Sequence, residues 1–213
     1  MIARQIAARL VGEGISLFAR FITAPRAIWQ GIEPVARQRV YFANHSSNGD
    51  FVLIWTVLPT PLRRQTRPVA ASDYWLTSPL RSFVGRDVFN AVLIDRRPET
   101  RTDDPVKQMV AALDQGSSLI LFPEGRRNTS DDTLLGFKSG LYHLAVARPE
   151  VDLVPVWIAN LNKVMPKGEV IPVPLICTLT FGAPLHLGAD EPKSEFLSRA
   201  SDALLAVGAK ERG

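Results

Sequence analysis

The side chains best suited to chemistry lie in one short stretch, Asn44-His45-Ser46-Ser47-Asn48-Gly49-Asp50, which stands between two apolar runs. It places an aspartate five positions after one of the three histidines of the chain. Neighbours on one helix face are three or four positions apart, so His45 and Asp50 can meet only if the chain turns between them. The intervening serine, asparagine and glycine residues favour such a turn. We therefore predict a strand that ends near Ala43, a turn that carries His45, and a helix that begins near Asn48 with Asp50 in its first turn.

This pattern has two interpretations. A histidine whose ring nitrogen is held by a carboxylate is the base of a catalytic triad, and its second nitrogen can take a proton from a substrate hydroxyl. The alternative is a surface turn with a helix-capping aspartate and an incidental histidine, because short motifs carry a high false-positive risk. The stretch alone leaves both interpretations open.

Four further motifs make the first interpretation stronger. They are Val92-Leu93-Ile94-Asp95-Arg96, Phe122-Pro123-Glu124-Gly125-Arg126-Arg127-Asn128, Phe137-Lys138-Ser139-Gly140 and Val154-Pro155-Val156. In this order after an N-H-x-x-x-x-D motif, they make the chain resemble the glycerolipid acyltransferase family, above all the bacterial 1-acylglycerol-3-phosphate acyltransferases. The resemblance extends over roughly residues 38–185.

The resemblance implies roles for five side chains. His45 is the general base and Asp50 orients it, while the substrate hydroxyl itself attacks the acyl thioester. Arg96 and Arg127 are the candidates for binding the acceptor's phosphate, because guanidinium is planar, always charged and bidentate toward phosphate oxygens. Lys138 adds a point charge.

The loop around Gly125 leaves more open. Its backbone amides are candidate donors to a phosphate or an oxyanion, since glycine allows close approach. Glu124 either binds an acceptor hydroxyl or braces the loop against an arginine. The chain departs from the frequent F-P-E-G-T-R-S pattern at Arg126 and Asn128, and Arg126 either faces a different acceptor head group or points to solvent. Residues 162–174 are expected to form a loop near the substrate.

The composition sets limits on the function. With 213 residues, 46% of them hydrophobic and 22% charged, the sequence is typical of one globular domain with a full core. The single cysteine, Cys177, excludes a disulfide framework, and its strand-like surroundings predict a buried inert thiol in a reducing compartment. The histidines are far apart and lack metal-ligand spacing, so no metal is expected. No cofactor is implied beyond the carrier of the acyl donor, which is either coenzyme A or acyl carrier protein.

The positive charge is unevenly placed. Residues 1–40 carry six arginines against two acidic residues, and residues 61–101 carry eight arginines against four. Basic segments attract phosphate in nucleic acid, anionic lipid or small phosphoesters. With the resemblance, we expect lysophosphatidate and an anionic membrane surface as partners, and no nucleic acid.

The N-terminal residues predict an amphipathic helix at positions 2–24. Its apolar residues recur at helical spacing and its arginines interrupt it too often for a transmembrane span. It either lies in a membrane interface or packs on the protein's own core, and Trp29 after the proline turn favours the membrane. We therefore divide the chain into membrane-associating helices at 1–35 and an acyltransferase domain at 36–213, located at the cytoplasmic face of the cell membrane.

Periodicity and turn signals predict alternating helices and strands. Further helices are expected at 51–58, 74–83, 100–114, 138–147 and 191–208, with strands at 40–43, 68–71, 91–95, 118–122, 153–158 and 173–181. This alternation indicates a single α/β domain. The resemblance implies a mixed β-sheet flanked by helices, with the site where the motif loops converge.

The function implied by the resemblance is transfer of a fatty acyl group from a thioester to 1-acylglycerol-3-phosphate, which gives phosphatidate. The alternative acceptors are glycerol-3-phosphate or another lysolipid. A lipid or thioester hydrolase is a further alternative, since Ser46 and Ser47 adjoin His45, although the chain has no G-x-S-x-G elbow. A non-catalytic lipid-binding protein is the alternative from another class, although it would have no use for an oriented base.

Overall fold

The computed structural model describes residues 2–97, 99, 103–159 and 177–209 of the chain. The helices are α1 (Ile2–Thr23), α2 (Asp50–Val57), α3 (Thr60–Gln65), α4 (Ser72–Trp75), α5 (Pro79–Phe83), α6 (Pro105–Asp114), α7 (Gly140–Ala147) and α8 (Lys193–Ala209), and a π-helical turn (Val84–Val88) follows α5. The strands are β1 (Arg26–Trp29), β2 (Arg39–Ala43), β3 (Thr66–Ala71), β4 (Val92–Ile94), β5 (Ser118–Leu121), β6 (Asp152–Ala159) and β7 (Thr178–Phe181).

The strands of the described residues form one seven-stranded sheet in the order β1-β7-β6-β2-β5-β3-β4. The central strand β2 runs parallel to both β5 and β6, and β3 runs parallel to both β5 and β4. The β6–β7 pair is antiparallel, and β1 runs parallel to β7. The predicted mixed sheet flanked by helices is therefore confirmed. The parallel half of this sheet brings the carboxyl ends of β2, β5, β3 and β4 to one edge.

Helices cover both faces of the sheet, and β2 shows why. All five of its residues are buried, so it reads as a continuous apolar run rather than an alternating one. Val40 and Phe42 join a core cluster with residues of α6, α7 and α8. Tyr41 and Ala43 point the other way, into a cluster with residues of α1 and α2.

Three regions differ from the expectations. The helix predicted at 74–83 is divided into α4 and α5, and the π-helical turn follows it. Residues 26–29, expected as an interfacial segment, form β1, and the ring of Trp29 stacks on Phe181 with centroids 4.1 Å apart. The ring of Trp29 is thus used in packing at the sheet edge, and its interfacial role stays a prediction. Helix α3 also differs, because Pro59 and Pro61 predict a break, whereas Pro59 is the N-cap and Pro61 lies in the first turn, where proline is favoured. The predicted loop at 162–174 lies outside the described residues.

Helix α1 is present where the sequence places it, and its small residues face the protein. The buried residues of α1 are Ala8, Gly12, Ser16, Ala19 and Thr23. Most of its large apolar side chains point outward, among them Ile2, Ile6, Leu10, Leu17, Phe18 and Phe21, whereas Ile15 and Ile22 pack against the core. The buried Arg63 fixes the helix by donating to Ser16 Oγ (3.1 Å) and to Glu13 Oε1 (2.8 Å).

Two of the three arginines of α1 also bind the protein. Arg4 pairs with Asp87 at 2.7 Å, and Arg20 donates to the carbonyl oxygen of Thr56 at 2.8 Å. What α1 offers outward is therefore mainly an apolar surface. Among the described residues, no helix combines the length and the hydropathy needed to cross a bilayer. The division of the chain at residue 35 stays a prediction, although β1 lies before that boundary and pairs within the sheet.

Candidate active site

The predicted site residues lie at the carboxyl edge of the parallel strands. His45 follows β2, Arg96 follows β4, and the Glu124–Arg127 segment follows β5. Because these strands are parallel, the loops that leave them meet at one edge of the sheet, where open α/β sheets bind their ligands.

The turn between β2 and α2 brings His45 and Asp50 into contact. The Nδ1 atom of His45 lies 2.8 Å from Oδ2 of Asp50. The Asp50 side chain is fully buried, whereas 20% of the His45 side chain is exposed. Since a carboxylate only accepts hydrogen bonds, the neutral imidazole carries its proton on Nδ1 and presents a lone pair on Nε2. The pair can therefore act as an oriented general base.

The backbone of the turn holds Asp50 as firmly as His45 does. The amides of Ser46 and Ser47 donate to the same Oδ2 atom at 2.7 and 2.9 Å. The hydroxyl of Ser47 accepts from the Gly49 amide at 3.2 Å, which is a turn-forming role. The helix begins at Asp50 with Gly49 as its N-cap, as the sequence predicts to within two residues. These contacts fix the carboxylate before any ligand binds.

Asn44 anchors the start of this turn to the neighbouring strand. Its side-chain amide donates to the Ile158 carbonyl oxygen at 3.1 Å, and its side-chain oxygen accepts from the Ile158 amide at 2.8 Å. This reciprocal pair continues the β2–β6 pairing by one step beyond Ala43. The asparagine of the motif therefore positions the histidine without contacting it.

Glu124 ties the loop after β5 to the histidine turn. Its Oε1 accepts from the His45 amide at 2.7 Å, and its Oε2 accepts from the Leu135 amide at 2.9 Å. The residue is only 2% exposed and lines neither cavity described below. Burial raises the pKa of its carboxyl group, and the two backbone hydrogen bonds oppose that rise. Of the two roles open from the sequence, the structure gives Glu124 the bracing one, through backbone amides and not through an arginine.

The next residue, Gly125, lies where any side chain would be strained. Its φ is +71°, and a Cβ atom there would lie 3.1 Å from Cγ of Lys138. Its amide donates to the Phe122 carbonyl oxygen at 3.0 Å, so this particular N–H is already used inside the turn. Gly125 thus permits the sharp turn and the close approach of the Lys138 stem.

A cavity of about 480 Å³ opens over His45. We call it the catalytic cavity; its lining residues are His45, Asn48, Phe51, Val69, Ala70, Ala71, Tyr74, Trp75, Ile94, Arg96, Leu121, Phe122, Gly125, Arg126, Arg127 and Thr129. Both Arg126 and Arg127 are exposed and line it. Among the described residues, no carboxylate pairs with either guanidinium. Arg126, which differs from the frequent family pattern, therefore adds a second free cation to the cavity.

Arg96 lines the same cavity but is partly engaged. Its Nη2 atom lies 3.2 and 3.0 Å from the two carboxylate oxygens of Asp73. Half of the side chain remains exposed. A phosphate at Arg96 would share the guanidinium with Asp73, so Arg127 is the freer of the two predicted phosphate ligands.

A second cavity, of about 730 Å³, adjoins the first. Its lining residues are Ile94, Asp95, Arg96, Asp104, Pro105, Val106, Met109, Leu121, Phe122, Pro123, Gly125, Lys138, Ser139, Gly140, Leu141 and His143. Lys138 lines this second cavity and not the catalytic one. The structure thus brings His45, Asp50, Arg96, Gly125 and Arg127 together, places Glu124 behind the wall, and sets Lys138 on the other side of Gly125.

Cys177 is buried, as the sequence predicts. Burial, together with the nearby Asp50 carboxylate, raises the pKa of the Cys177 thiol to about 11, so the thiol is protonated at neutral pH. No group of three or more histidine, cysteine or acidic side chains among the described residues is arranged to hold a metal ion.

Comparison with known proteins identifies the family. A family model described as Acyltransferase matches residues 26–159. The chain belongs to this acyltransferase family. The matched segment contains the histidine turn, the arginine loop and all the residues predicted to act at the site.

Several curated relatives bear the name 1-acyl-sn-glycerol-3-phosphate acyltransferase. One from Limnanthes alba is 30% identical over 155 residues, which cover 68% of this chain and 50% of that protein. One from Escherichia coli K12 is 29% identical over 137 residues, which cover 58% of this chain and 50% of that protein. The chain thus spans about half the length of these two relatives. One from Haemophilus influenzae is 27% identical over 179 residues, covering 78% of this chain and 67% of that protein.

A solved structure shares the fold. The crystal structure of the 1-acyl-sn-glycerophosphate (LPA) acyltransferase PlsC from Thermotoga maritima matches with a TM-score of 0.70 and 20% identity. The match covers 99% of this chain and 84% of that one. At this identity the likeness supports the architecture alone.

Sequence reasoning missed two features of the site. The ring of Phe122 stacks on the ring of His45, with centroids 4.2 Å apart and planes 20° apart. Phe122 belongs to a quoted motif, yet nothing in its spacing indicates that contact. Tyr74 and Trp75 line the catalytic cavity from α4, in a segment that the sequence predicts only as helical.

Proposed function

We propose that this protein transfers a fatty acyl group from an acyl thioester to the free hydroxyl of 1-acylglycerol-3-phosphate, giving phosphatidate for phospholipid biosynthesis. The observation that carries the proposal is the oriented His45–Asp50 pair in a cavity that also holds two unpaired arginines. A base alone would serve many reactions. A base beside free guanidinium groups suits an acceptor that has both a hydroxyl and a phosphate.

The chemistry follows from the geometry of the pair. Nε2 of His45 takes the proton of the acceptor hydroxyl as its oxygen attacks the thioester carbonyl carbon. When the tetrahedral intermediate collapses, the C–S bond breaks and the imidazolium returns that proton to the leaving thiolate. Asp50 holds the ring in the required tautomer and stabilises the imidazolium. Because the acceptor oxygen is the nucleophile, no acyl-serine is formed, in keeping with the turn-forming role of Ser47.

The arginines select the acceptor. Arg127 and Arg126 are exposed in the cavity and offer planar donors to a phosphate monoester, and Arg96 adds charge at the wall. Neither Arg126 nor Arg127 would have to break a protein ion pair of the described residues on binding. A phosphate held there would place the glycerol hydroxyl toward His45, which is how the two parts of the site would act on one molecule.

The partners of the proposal are a coenzyme A or acyl carrier protein thioester, lysophosphatidate and an anionic membrane surface at its cytoplasmic face. The outward side chains of α1 support the membrane contact. Phe21 is 81% exposed, and Leu17 and Phe18 beside it are 70% and 65% exposed. An exposed apolar surface of this kind, on a helix that its charged residues make too polar to span, suits an interfacial position.

The function is tested by incubating the protein with labelled acyl-CoA and a panel of acceptors that differ in head group. The panel holds lysophosphatidate, glycerol-3-phosphate and lysolipids that lack a phosphate monoester. We expect phosphatidate as the main labelled product. Preference for an acceptor without a phosphate monoester would overturn the acceptor assignment, and labelled free fatty acid without any transfer would indicate a hydrolase.

The membrane contact is tested by vesicle flotation of a Phe18→Asp, Phe21→Asp double variant. We expect it to float with anionic vesicles several-fold less than the wild type, because two charges would enter the apolar surface. The matched control is Val146→Asp on α7, which is 51% exposed but lies on the opposite face of the sheet. Flotation that falls equally in both variants would exclude α1 as the specific contact.

A further inference from the structure

The two cavities meet at a shared wall next to the catalytic pair. Ile94, Arg96, Leu121, Phe122 and Gly125 line both. Phe122 is also the residue whose ring stacks on His45. A ligand in the catalytic cavity meets His45 directly, and a ligand in the second cavity reaches the wall that contains Phe122, beside His45. An acyl transfer between two substrates needs two such approaches.

The cationic side chains are divided between the cavities. Arg126 and Arg127 line the catalytic cavity alone, whereas Lys138 lines the second cavity alone. The acidic residues of the second cavity are already engaged: Asp104 accepts from the Val106 amide at 2.8 Å, and Asp95 pairs with Arg97 at 3.3 Å. Lys138 is exposed, and no carboxylate of the described residues pairs with it. The second cavity thus has its own free positive charge.

The two cavities also differ in their position relative to α1. Pro105, Val106 and Met109 of α6 and Gly140 and Leu141 of α7 line the second cavity. Helices α6 and α7 cover one face of the sheet, and α1 with its outward apolar side chains packs on the other. The second cavity therefore lies beside helices on the face away from α1. A water-soluble carrier would approach more easily on that side than a lipid would.

We propose that the second cavity binds the phosphopantetheine arm of the acyl donor, with the ammonium group of Lys138 on its phosphate and the thioester at the Phe122–Gly125 wall. The inference rests on the proposed function and names the place of the second substrate. It reassigns Lys138 from the acceptor, where the sequence placed it, to the donor. Gly125 lines both cavities, so a thioester at this wall lies next to the catalytic cavity.

The first test compares the KM for the acyl donor with the KM for the acceptor. We expect Lys138→Ala to raise the KM for acyl-CoA on the order of 10-fold, the low end for loss of a hydrogen bond to a charged group, because Lys138 is exposed. The KM for lysophosphatidate and the kcat should stay within about twofold. Lys107→Ala, a variant at an exposed lysine on α6 that lines neither cavity, should change none of these values. A rise in the KM for lysophosphatidate alone would overturn the inference while leaving the proposed function standing.

Two donors identify which phosphate Lys138 contacts. The phosphopantetheine phosphate is present in both acyl-CoA and acyl carrier protein, whereas the nucleotide phosphates belong to coenzyme A alone. An increase in KM for both donors supports contact with the shared phosphate. An increase for acyl-CoA alone would put Lys138 on the nucleotide phosphates and overturn its assignment to the phosphopantetheine phosphate. No increase for either donor overturns the proposal.

A steric variant tests the cavity without removing charge. A Cβ added at Gly140 would lie 3.9 Å from Cε of Met109, so Gly140→Leu can be accommodated and should fill part of the second cavity. We expect weaker binding of coenzyme A by calorimetry, at least 10-fold, with thermal unfolding unchanged. This binding measurement needs no turnover, so it tests the donor site even if lysophosphatidate is not the acceptor. Unchanged coenzyme A affinity in both Gly140→Leu and Lys138→Ala would overturn it.

Discussion

The two loops that form the catalytic cavity hold their charged side chains in opposite ways. In the turn after β2, Oδ2 of Asp50 receives three N–H groups, those of the His45 ring and of the Ser46 and Ser47 amides, all within 2.9 Å. In the loop after β5, the guanidinium groups of Arg126 and Arg127 have no carboxylate partner among the described residues. One loop is fixed before a substrate arrives, and the other offers charges that only a ligand would engage. Proton transfer requires preset geometry, whereas recognition of phosphate requires free donors.

The contacts between the loops explain how both properties coexist. Glu124 accepts from the His45 amide, and the Asn128 amide donates to the His45 carbonyl oxygen at 2.6 Å. These bonds hold the main chain on either side of Arg126 and Arg127. The backbone of the arginine loop is therefore tied to the histidine turn, while its side chains remain free.

The largest expected effect comes from breaking the fixed pair. His45→Ala should abolish transfer, and Asp50→Asn should lower kcat by about 10⁴-fold, by analogy with replacement of the orienting aspartate in a Ser-His-Asp triad. The measurement is the steady-state rate with acyl-CoA and lysophosphatidate. Circular dichroism and thermal unfolding serve as controls, chiefly for Asp50→Asn, because that side chain is fully buried. Substantial activity in a well-folded His45→Ala protein would exclude the mechanism.

Removing a free charge should have a smaller and more selective effect. Arg127→Ala should lower kcat/KM for lysophosphatidate by about 10- to 100-fold, since a hydrogen bond to a charged group contributes about 1.5–3 kcal/mol. Hydrolysis of the acyl donor by water should change little, because water needs no phosphate contact. Arg127→Lys should restore only part of the loss, since an ammonium group cannot form the bidentate pair.

The same assay assigns Arg126, and Arg148→Ala is the matched control, since Arg148 pairs with Asp114 and lines neither cavity. A loss at Arg126→Ala comparable with that at Arg127→Ala would place both on the phosphate. Equal losses in transfer and hydrolysis at Arg127→Ala would mean that this arginine supports the fold or the donor instead.

The hydrogen bond between the two loops can be weakened without replacing His45, Asp50 or the arginines. Glu124→Gln leaves one acceptor for the His45 and Leu135 amides and should lower the free energy of unfolding by about 1–3 kcal/mol. We expect kcat to fall by about tenfold, because the main chain of His45 loses its support. The measurements are urea unfolding and kcat, and Glu150→Gln, at an exposed glutamate, is the control. A loss of acceptor affinity without a change in stability would instead support the hydroxyl-binding role considered from the sequence.

How much the sequence predicts depends on how local the cause is. The turn from His45 to Asp50 was predictable because five positions and four turn-forming residues leave few alternatives. The bracing by Glu124 was not, since its partners are the amides of His45 and Leu135, 79 and 11 positions away. The separation of Lys138 from Arg127 depends on the path of the loop around Gly125, which no residue spacing reveals.

The prediction of helices and strands is likewise limited to what local sequence signals determine. The strands of the parallel half and the helices between them follow from apolar runs and caps, such as the Asp104 side chain at the start of α6. The orientation of α1 was left open, because its periodicity does not say which face packs. The structure shows that small residues make the contact, with Gly12 against Val88 and Trp55. Membrane association itself stays a prediction.

The smallest expected effect concerns the aromatic contact that Phe122 makes with His45 between the two loops. Phe122→Leu keeps apolar bulk but removes the flat surface on which the His45 ring lies at 4.2 Å. An aromatic pair contributes about 0.5–1.5 kcal/mol beyond its buried area, so we expect kcat to fall by about 2- to 10-fold at saturating concentrations of both substrates. Phe137→Leu is the control, because that ring contacts Phe42 edge-on and lines neither cavity. If the stack acts by orienting His45, its effect should shrink in an Asp50→Asn background, where the ring has already lost its main restraint. Equal effects in both backgrounds would mean that Phe122 contributes to the shape of the cavity wall and not to the position of the base.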